Sequence, residues 1–479
     1  MKEIAERALN VAQLRGATYA DVRIIHERSQ QLLVKNGRVE TVSQDENAGL
    51  GIRVIVDGAW GFASSSIVTR AEADRVARQA AQIARASATV NNRAVELAPL
   101  TPSVGRFHSP MQQDPFAVPL DDKLKLLLAA DSAMRRVKGV TVTEASMQFI
   151  HEDKLFASSE GSLIEQTSVE SGAGIEATAV SGNEMQTRSF PNSFGRQQAK
   201  RGYEMVAETN LVDNAEKVAH EAVALLTAPQ CPSGVTSIIL DSTQLALQVH
   251  ESCGHPVELD RVLGEEASFA GTSFLTLDRL GTFRYGSDLV SITADATIPG
   301  ALGSFAFDDE GVPGQRTPIV QDGIFVGYLT SRESAARLGQ LSNGTMRADG
   351  WNRIPLIRMT CINLEPGTWT LADLIADTDD GLYLAINKSW SIDDKRLNFQ
   401  FGTQLAYEIK NGKLGRLLKN ANYTGITPNF WQSCDAVCSA DHWQLWGLPN
   451  CGKGEPMQVA RVAHGAAPAR FRHVQVGVG

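Results

Sequence analysis

The stretch Val235-Thr236-Ser237-Ile238-Ile239-Leu240-Asp241-Ser242 runs into Thr243-Gln244-Leu245-Ala246-Leu247-Gln248-Val249-His250-Glu251-Ser252-Cys253-Gly254-His255-Pro256. Residues 235–240 form an apolar, β-branched run of strand length, Asp241-Ser242 is a helix N-cap, and the remainder has helical composition. Two histidines and a glutamate therefore meet on one helix. A His-Glu-x-x-x-His string arises by chance only about 0.01 times in a chain of this composition, so metal binding is the leading reading. The spacing is unusual. Residues i and i+4 lie about 40° apart around an ideal helix, whereas i and i+5 lie about 140° apart, too far for His250 and His255 to grip one ion. The backbone must deviate between them. Gly254 and Pro256 flank His255 and supply the means, through a π-bulge or a helix that ends at Gly254. Glu251, about 100° round from His250, can reach water at the ion, which is the position of a general base.

Catalytic zinc takes three protein ligands and leaves one position open, so a third ligand is required. Cys253 lies between the histidines and reads as a small buried residue. Cys434, Cys438 and His442, spaced by four, could line one face of a helix and bind a separate metal, but buried free cysteines are common and are the favoured reading. Cys451 lies in Pro449-Asn450-Cys451-Gly452-Lys453-Gly454, where glycines let a thiolate approach an ion and Lys453 would favour its ionised form. It is the natural choice.

Outward from this motif, Ala228-Pro229-Gln230-Cys231-Pro232-Ser233-Gly234 is the best linker, with two prolines and a glycine between a helix and a strand. The expected fold class is α+β. Residues 1–228 form an N-terminal α/β-type domain with antiparallel strands and long helices, and residues 235–479 form a C-terminal β-rich domain that carries the metal-binding helix. In the first, a helix spans 2–15 and strands span 19–28, 31–35 and 51–57, with turns at Asn36-Gly37 and Asp57-Gly58. Thr69 caps a helix to about residue 86. The prolines between 99 and 119 mark a long surface connection. A helix over 122–136, strands over 140–188 and a long helix over 196–226 follow. In the second, Asp322-Gly323 and Asn411-Gly412 punctuate an antiparallel pattern, and Asp308-Asp309-Glu310 reads as an acidic turn, exposed or orienting the site.

The chain has 479 residues, 43% of them hydrophobic, with a net charge of −9. That is an ordinary globular composition whose field repels polyanions, so no nucleic-acid partner is expected, and Lys123–Lys125 and Arg135-Arg136-Lys138 read as solvated helix faces. The longest apolar runs, such as 238–240, fall far short of the roughly 20 residues that cross a bilayer, so no membrane association is expected. Six cysteines are too few for a disulfide framework and fit a reducing, cytoplasmic setting.

The chain resembles the TldD/PmbA metallopeptidases, also called modulators of DNA gyrase. The resemblance rests on 250–255, on Phe307-Asp308-Asp309-Glu310-Gly311-Val312-Pro313-Gly314, on Asn343-Gly344 with Arg358-Met359-Thr360, and on Asn450-Cys451-Gly452-Lys453. Looser agreement extends through Gly51-Ile52-Arg53-Val54 and 57–63. The resemblance implies Zn2+ held by His250, His255 and Cys451, with Glu251 as the catalytic base, as in the catalytic TldD-like branch. It also implies cleavage of short or unfolded peptides, and assembly as a homodimer or as a heterodimer with a metal-free PmbA-like subunit. Residues 387–393, glycine-rich in many such chains, depart from the pattern. The alternative is a non-catalytic partner or regulatory subunit with a structural metal.

Overall fold

The computed structural model describes residues 1–454 and 457–477. An eight-stranded sheet occupies the N-terminal part. Its path runs Ala59–Ser65, Arg38–Val56, Tyr19–Lys35, Val140–Ser158, Leu163–Ser181 and Val104–His108, with Glu184–Phe190 and Gln197–Ala199 also paired to Leu163–Ser181. The turns fall at Asn36-Gly37 and Asp57-Gly58, where both residues of each pair have positive φ, as a two-residue hairpin of this twist requires. Alanine-rich helices Lys2–Leu14 and Arg70–Ala88 bury Ala5, Ala8, Ala12, Ala77 and Ala80 against one end of the sheet. The approach is close: a Cβ on Gly61 would stand 2.1 Å from the carbonyl oxygen of Ala80. Helices Leu120–Arg135 and Leu211–Thr227 cover the rest.

Four expectations change here. The strands expected over 19–28 and 31–35 are one strand, because Ser29 and Gln30 pair with neighbours on both sides and the ladder carries the backbone across the polar interruption. The proline-punctuated segment holds an edge strand, Val104–His108, and a short 3-10 turn, Pro115–Ala117, with prolines flanking the strand. The long helix expected over 196–226 opens instead with the strand Gln197–Ala199, then a short helix Glu204–Glu208, and breaks at Asn210, whose φ is +49°. Lys123 is also not solvated. It is buried, donates to the Gln30 side chain at 2.5 Å and lies over the Phe149 ring.

In the C-terminal part, the strands Asp380–Ile392, Gly234–Leu240, Ala469–Val476, Asn422–Ile426 and Asn398–Lys410 pair in that order, and the last pairs with the first. The sheet closes into a five-stranded barrel with Lys413–Leu418 attached outside the ring. One pairing, Gly234–Leu240 with Asp380–Ile392, is parallel within an otherwise antiparallel ring. Phe399, Phe401, Tyr423, Phe430, Trp431 and Phe471 stack in its interior. A four-stranded sheet (Ile324–Phe325, Arg316–Gln321, Ile292–Asp295, Ile362–Leu364) and the hairpin Gln444–Lys453/Gln458–Ala466 lie beside it.

The acidic turn Asp308-Asp309-Glu310 is fully buried, and it joins the two parts. Asp308 accepts from the backbone N–H groups of Glu310, Val312 and Met346. Asp309 faces the N-terminal sheet, accepting from Lys154 Nζ at 2.9 Å with Arg23 3.8 Å away. Glu310 accepts from the Arg332 N–H at 2.7 Å and lies 3.3 Å from Arg53, which also pairs with Asp21. Burial alone would raise the Asp309 carboxyl, but Lys154 and Arg23 outweigh it and hold the group down at about 2. Removing one partner of such a cluster leaves the others charged and dry. Asp309→Ala is therefore expected to lower the unfolding free energy by about 3–5 kcal/mol in denaturant titration. Glu216→Ala, which breaks only the exposed pair with Arg136, should leave the midpoint nearly unmoved.

Candidate metal centre

The barrel strand Gly234–Leu240 ends at Asp241, whose carboxylate accepts from the Thr243 N–H at 3.0 Å and starts the helix Ser242–Val249. Every residue of that helix is buried. From His250 to Gly254 the chain widens into a π turn, in which the His255 N–H donates to the His250 carbonyl five residues back. Pro256 then turns the backbone into a 3-10 turn, His255–Val257. Of the two deviations the sequence allows, the backbone takes the π form. The imidazoles that an α-helix would splay apart meet with ring centroids 4.9 Å apart, edge to face. Gly254 is required by space, since a Cβ there would stand 2.2 Å from Met359 Sδ in the core.

Cys451 arrives on the strand Gln444–Lys453, at a register shift between Leu448 and Cys451 that leaves Pro449 and Asn450 out of the ladder. Its Sγ lies 3.7 Å from His255 Nε2, and the ligand atoms of His250, His255 and Cys451 all fall within 4.8 Å of one another. All three residues are buried.

Hydrogen bonds set the imidazole tautomers. The Ile362 carbonyl can only accept, so His464 Nδ1 carries a proton and donates to it at 3.1 Å. The Nε2 of neutral His464 then accepts from His250 Nδ1 at 2.7 Å. Glu258 likewise accepts from His255 Nδ1 at 2.9 Å. Both histidines thus turn an unprotonated Nε2 toward the thiol. Burial keeps them neutral, pushing His250 down to about 4 and His255 well below its ordinary value. Burial also tends to raise the Cys451 thiol, but the Arg358 guanidinium and the bond to His255 outweigh it and bring the group below its ordinary value.

These donors suit a metal ion. A tetrahedral zinc shell with Zn–N near 2.05 Å and Zn–S near 2.3 Å places N and S about 3.6 Å apart, and the His255–Cys451 separation is 3.7 Å. Glu251 stands beside the three, its Oε2 accepting from Arg396 Nη1 at 2.8 Å. His250, Glu251, His255, Cys451 and Arg396 border a cavity of about 260 Å³ that Trp390 and Asn450 also line.

Other candidates separate. Cys253 turns into the core, where it accepts from the Tyr285 hydroxyl at 3.1 Å. Cys434, Cys438 and His442 do not share a helix: Cys434 begins the strand Cys434–Val437, the next residue is Cys438, and His442 ends a 3-10 turn where its Nε2 accepts from the Leu371 N–H. Among the described residues they form no metal-binding group. Lys453 does not serve Cys451. It is buried against Asp260 at 2.7 Å, with Glu258 and Glu266 3.5 Å away, and the cation that acts on the thiol is Arg358. Sequence reasoning does not find His464 or Arg396 in these roles, because each lies on another element and no spacing rule links it to His250 or Glu251; Glu258, three residues after His255, has a local spacing that could have pointed to it.

The chain matches three family models: PmbA/TldA metallopeptidase domain 1 over residues 20–84, the central domain over 113–227 and the C-terminal domain over 233–477. A metalloprotease of Methanocaldococcus jannaschii is 31% identical over 422 residues, covering 88% of this chain and 89% of that protein. A zinc metalloprotease TldD homolog of Saccharolobus solfataricus is 26% identical over 246 residues, covering 51% and 52%. Two solved structures share the fold. A Thermotoga maritima protein superposes with a TM-score of 0.78 at 17% identity, over 99% of this chain and 100% of its own. TldE from Thermococcus kodakarensis does so with 0.73 at 16%, over 99% of each.

Two outcomes follow from the geometry. His464→Ala and Glu258→Ala, which free the Nδ1 side of one imidazole each, should weaken metal binding about 10- to 100-fold in chelator competition. Gly254→Ala should destabilise the protein by about 1–3 kcal/mol by crowding the core. Pairing it with Met359→Ala should recover part of that loss in a double-mutant cycle.

Proposed function

The chain belongs to the PmbA/TldD family of metallopeptidases, and from that premise we propose that it is a zinc peptidase acting on short or unfolded peptides. In this reading His250, His255 and Cys451 hold the ion and Glu251 is the general base. The observation that carries it is the π turn, which brings two unprotonated Nε2 atoms and a thiol within 4.8 Å of one another. A Zn2+ ion in such a shell supplies Lewis acidity, polarising a carbonyl and lowering the pKa of water to about 7.

The protein's own groups handle the proton. Arg396 fixes Glu251 through Oε2, which leaves Oε1 to take a proton from the attacking water. The new C–O bond forms at the scissile carbonyl carbon, the C–N bond breaks, and Glu251 delivers the proton to the departing nitrogen. No covalent link to the enzyme is needed. A thiolate gives the ion more charge than an imidazole does, which weakens its Lewis acidity and suits slow processing.

Burial of the three ligands supports the choice of substrate, because the backbone of a folded protein cannot reach them. Among the described residues the strand Gln444–Lys453 has one strand partner, Gln458–Ala466; the Gln197 side chain bonds its other edge at Leu445 and Gly447, and beyond that point Leu448 and Asn450 border the cavity. An extended peptide adding along this strand would be held through its backbone. A structural zinc would fill all four positions with protein ligands; Cys253, the nearest additional thiol in sequence, is turned toward Tyr285, which favours the catalytic reading.

The same reading includes a boundary at 228–235 between an N-terminal α+β domain and the C-terminal metallopeptidase domain, supported by their separate sheets. It includes a dimer, with itself or with a TldE-like subunit, which the shared fold with TldE supports. It places the protein in the cytoplasm, consistent with six free cysteines. Among the described residues no helix is long and apolar enough to cross a membrane.

Glu251→Gln is expected to keep its zinc in elemental analysis while cleavage of an unfolded peptide falls about 10²- to 10⁴-fold. Activity that persists at the level of the unmodified protein would sink the base assignment.

A further inference from the structure

A second cavity, of about 310 Å³, adjoins the metal centre and shares Leu247, Leu448 and Asn450 with the first. His464, the partner of His250, also lines it. Its far side comes from the N-terminal sheet. After the strand Glu184–Phe190 the chain makes a short 3-10 turn, Ser193–Gly195, and enters the strand Gln197–Ala199. Close contact fixes this crossing: a Cβ on Gly174 would stand 1.8 Å from the Gly195 carbonyl oxygen, and one on Gly447 would stand 1.8 Å from that of Gln198. Gln197 bonds the strand that carries Cys451, donating to the Leu445 carbonyl at 2.7 Å and accepting from the Gly447 N–H at 2.8 Å. Arg196 is thereby held on the wall that faces the metal-centre strand.

Among the described residues Arg196 is the one formally charged side chain that lines this cavity. The other walls are neutral, with Ala246, Leu247, Trp446 and Leu448 supplying apolar surface. Among the described residues no carboxylate lies within 4 Å of its guanidinium, and its side-chain hydrogen bond goes from Nη1 to the amide oxygen of Gln148 at 3.0 Å. The contrast with Arg396, Arg461 and Arg188 is direct, since each of those buried or half-buried arginines has a glutamate partner. Burial lowers the pKa of Arg196 with no counter-charge to oppose it. A half-buried guanidinium has five donors in a planar fork matched to a carboxylate.

On the proposed peptidase reading, we propose that Arg196 is a specificity-determining residue that binds a carboxylate of the peptide substrate in the cavity beside the metal centre. A carboxylate on a peptide has two sources, the chain terminus and an Asp or Glu side chain, and both present the same bidentate acceptor. The cavity, of about 310 Å³, adjoins His250's partner His464, so the enzyme would prefer peptides with a negative charge a short, fixed distance from the cleaved bond.

The test uses the full-length zinc-loaded protein and four blocked hexapeptides of unstructured sequence: a free C-terminal acid, its C-terminal amide, and amides carrying one Glu or the matching Gln. The unmodified protein should favour a carboxylate-bearing peptide over its neutral counterpart by about 10- to 100-fold in kcat/KM. Arg196→Gln should erase that preference and leave cleavage of the neutral amide unchanged; Arg196→Lys should keep part of it. Preference for acid over amide assigns the chain terminus, and preference for Glu over Gln assigns the side chain. Equal rates on charged and neutral peptides, or an equal loss on all four in Arg196→Gln, would overturn the proposal while the peptidase reading stands. A binding titration of the same labelled peptides separates the two ideas further. If no peptide is cut but the charged ones bind more tightly through Arg196, the subsite is real and the peptidase reading fails; if none binds more tightly, the subsite fails.

Discussion

One additional residue in a helical turn governs the metal centre. Between His250 and His255 an α-helix would put the imidazoles on different faces, and no rotamer change could bring both to one point. The π turn absorbs the fifth residue and lines the rings up. The buried helix Ser242–Val249 leads into it, Gly254 leaves space for Met359, and Trp431 donates to Ser252 Oγ within the turn at 2.9 Å. A π turn is a costly backbone state that persists only where its surroundings over-determine it. Here the surroundings are the barrel itself, since Trp431 and Phe471 stack in its interior.

Of the remaining partners all but Glu258 come from distant parts of the chain. His464 and Cys451 belong to the hairpin Gln444–Lys453/Gln458–Ala466, Arg396 to the turn between two barrel strands, and Glu258 to the segment after Pro256. Each fixes one atom: a tautomer, a carboxylate or a thiol. The buried turn at 308–310 does the same on a larger scale, holding the N-terminal sheet against the C-terminal part through Lys154, Arg23 and Arg53. Charge buried at that depth tolerates few alternative arrangements, which makes the packing of the two parts specific more than it makes it strong.

Much of this was legible in the sequence where the signal is local. The turn dipeptides Asn36-Gly37, Asp57-Gly58, Asp322-Gly323 and Asn411-Gly412 mark hairpins because positive φ is needed at both positions. The five-residue histidine spacing, read against helix geometry, requires a distortion at Gly254, and a distortion is there. What stayed hidden depends on tertiary partners. The acidic string 308–310 looks like a solvated turn until the cations of the N-terminal sheet are brought to it. Lys123 looks like a helix-face charge until Gln30 and Phe149 surround it. Lys453 sits two residues from Cys451, yet three carboxylates, Asp260, Glu258 and Glu266, take its ammonium in place of the thiol. The polar break at Ser29-Gln30 ends a hydrophobic pattern but not a ladder with partners on both flanks.

Closure of the barrel also orders events during synthesis. The strand Ala469–Val476 sits between Gly234–Leu240 and Asn422–Ile426, so the ring stays open until translation has passed it. By then His250 and His255 have long since been made, and the hairpin bearing Cys451 and His464 has only just followed. Contacts so far apart in sequence form late. The two imidazoles and the thiol therefore meet only after the hairpin and the last staves of the barrel have joined the segment that carries His250 and His255.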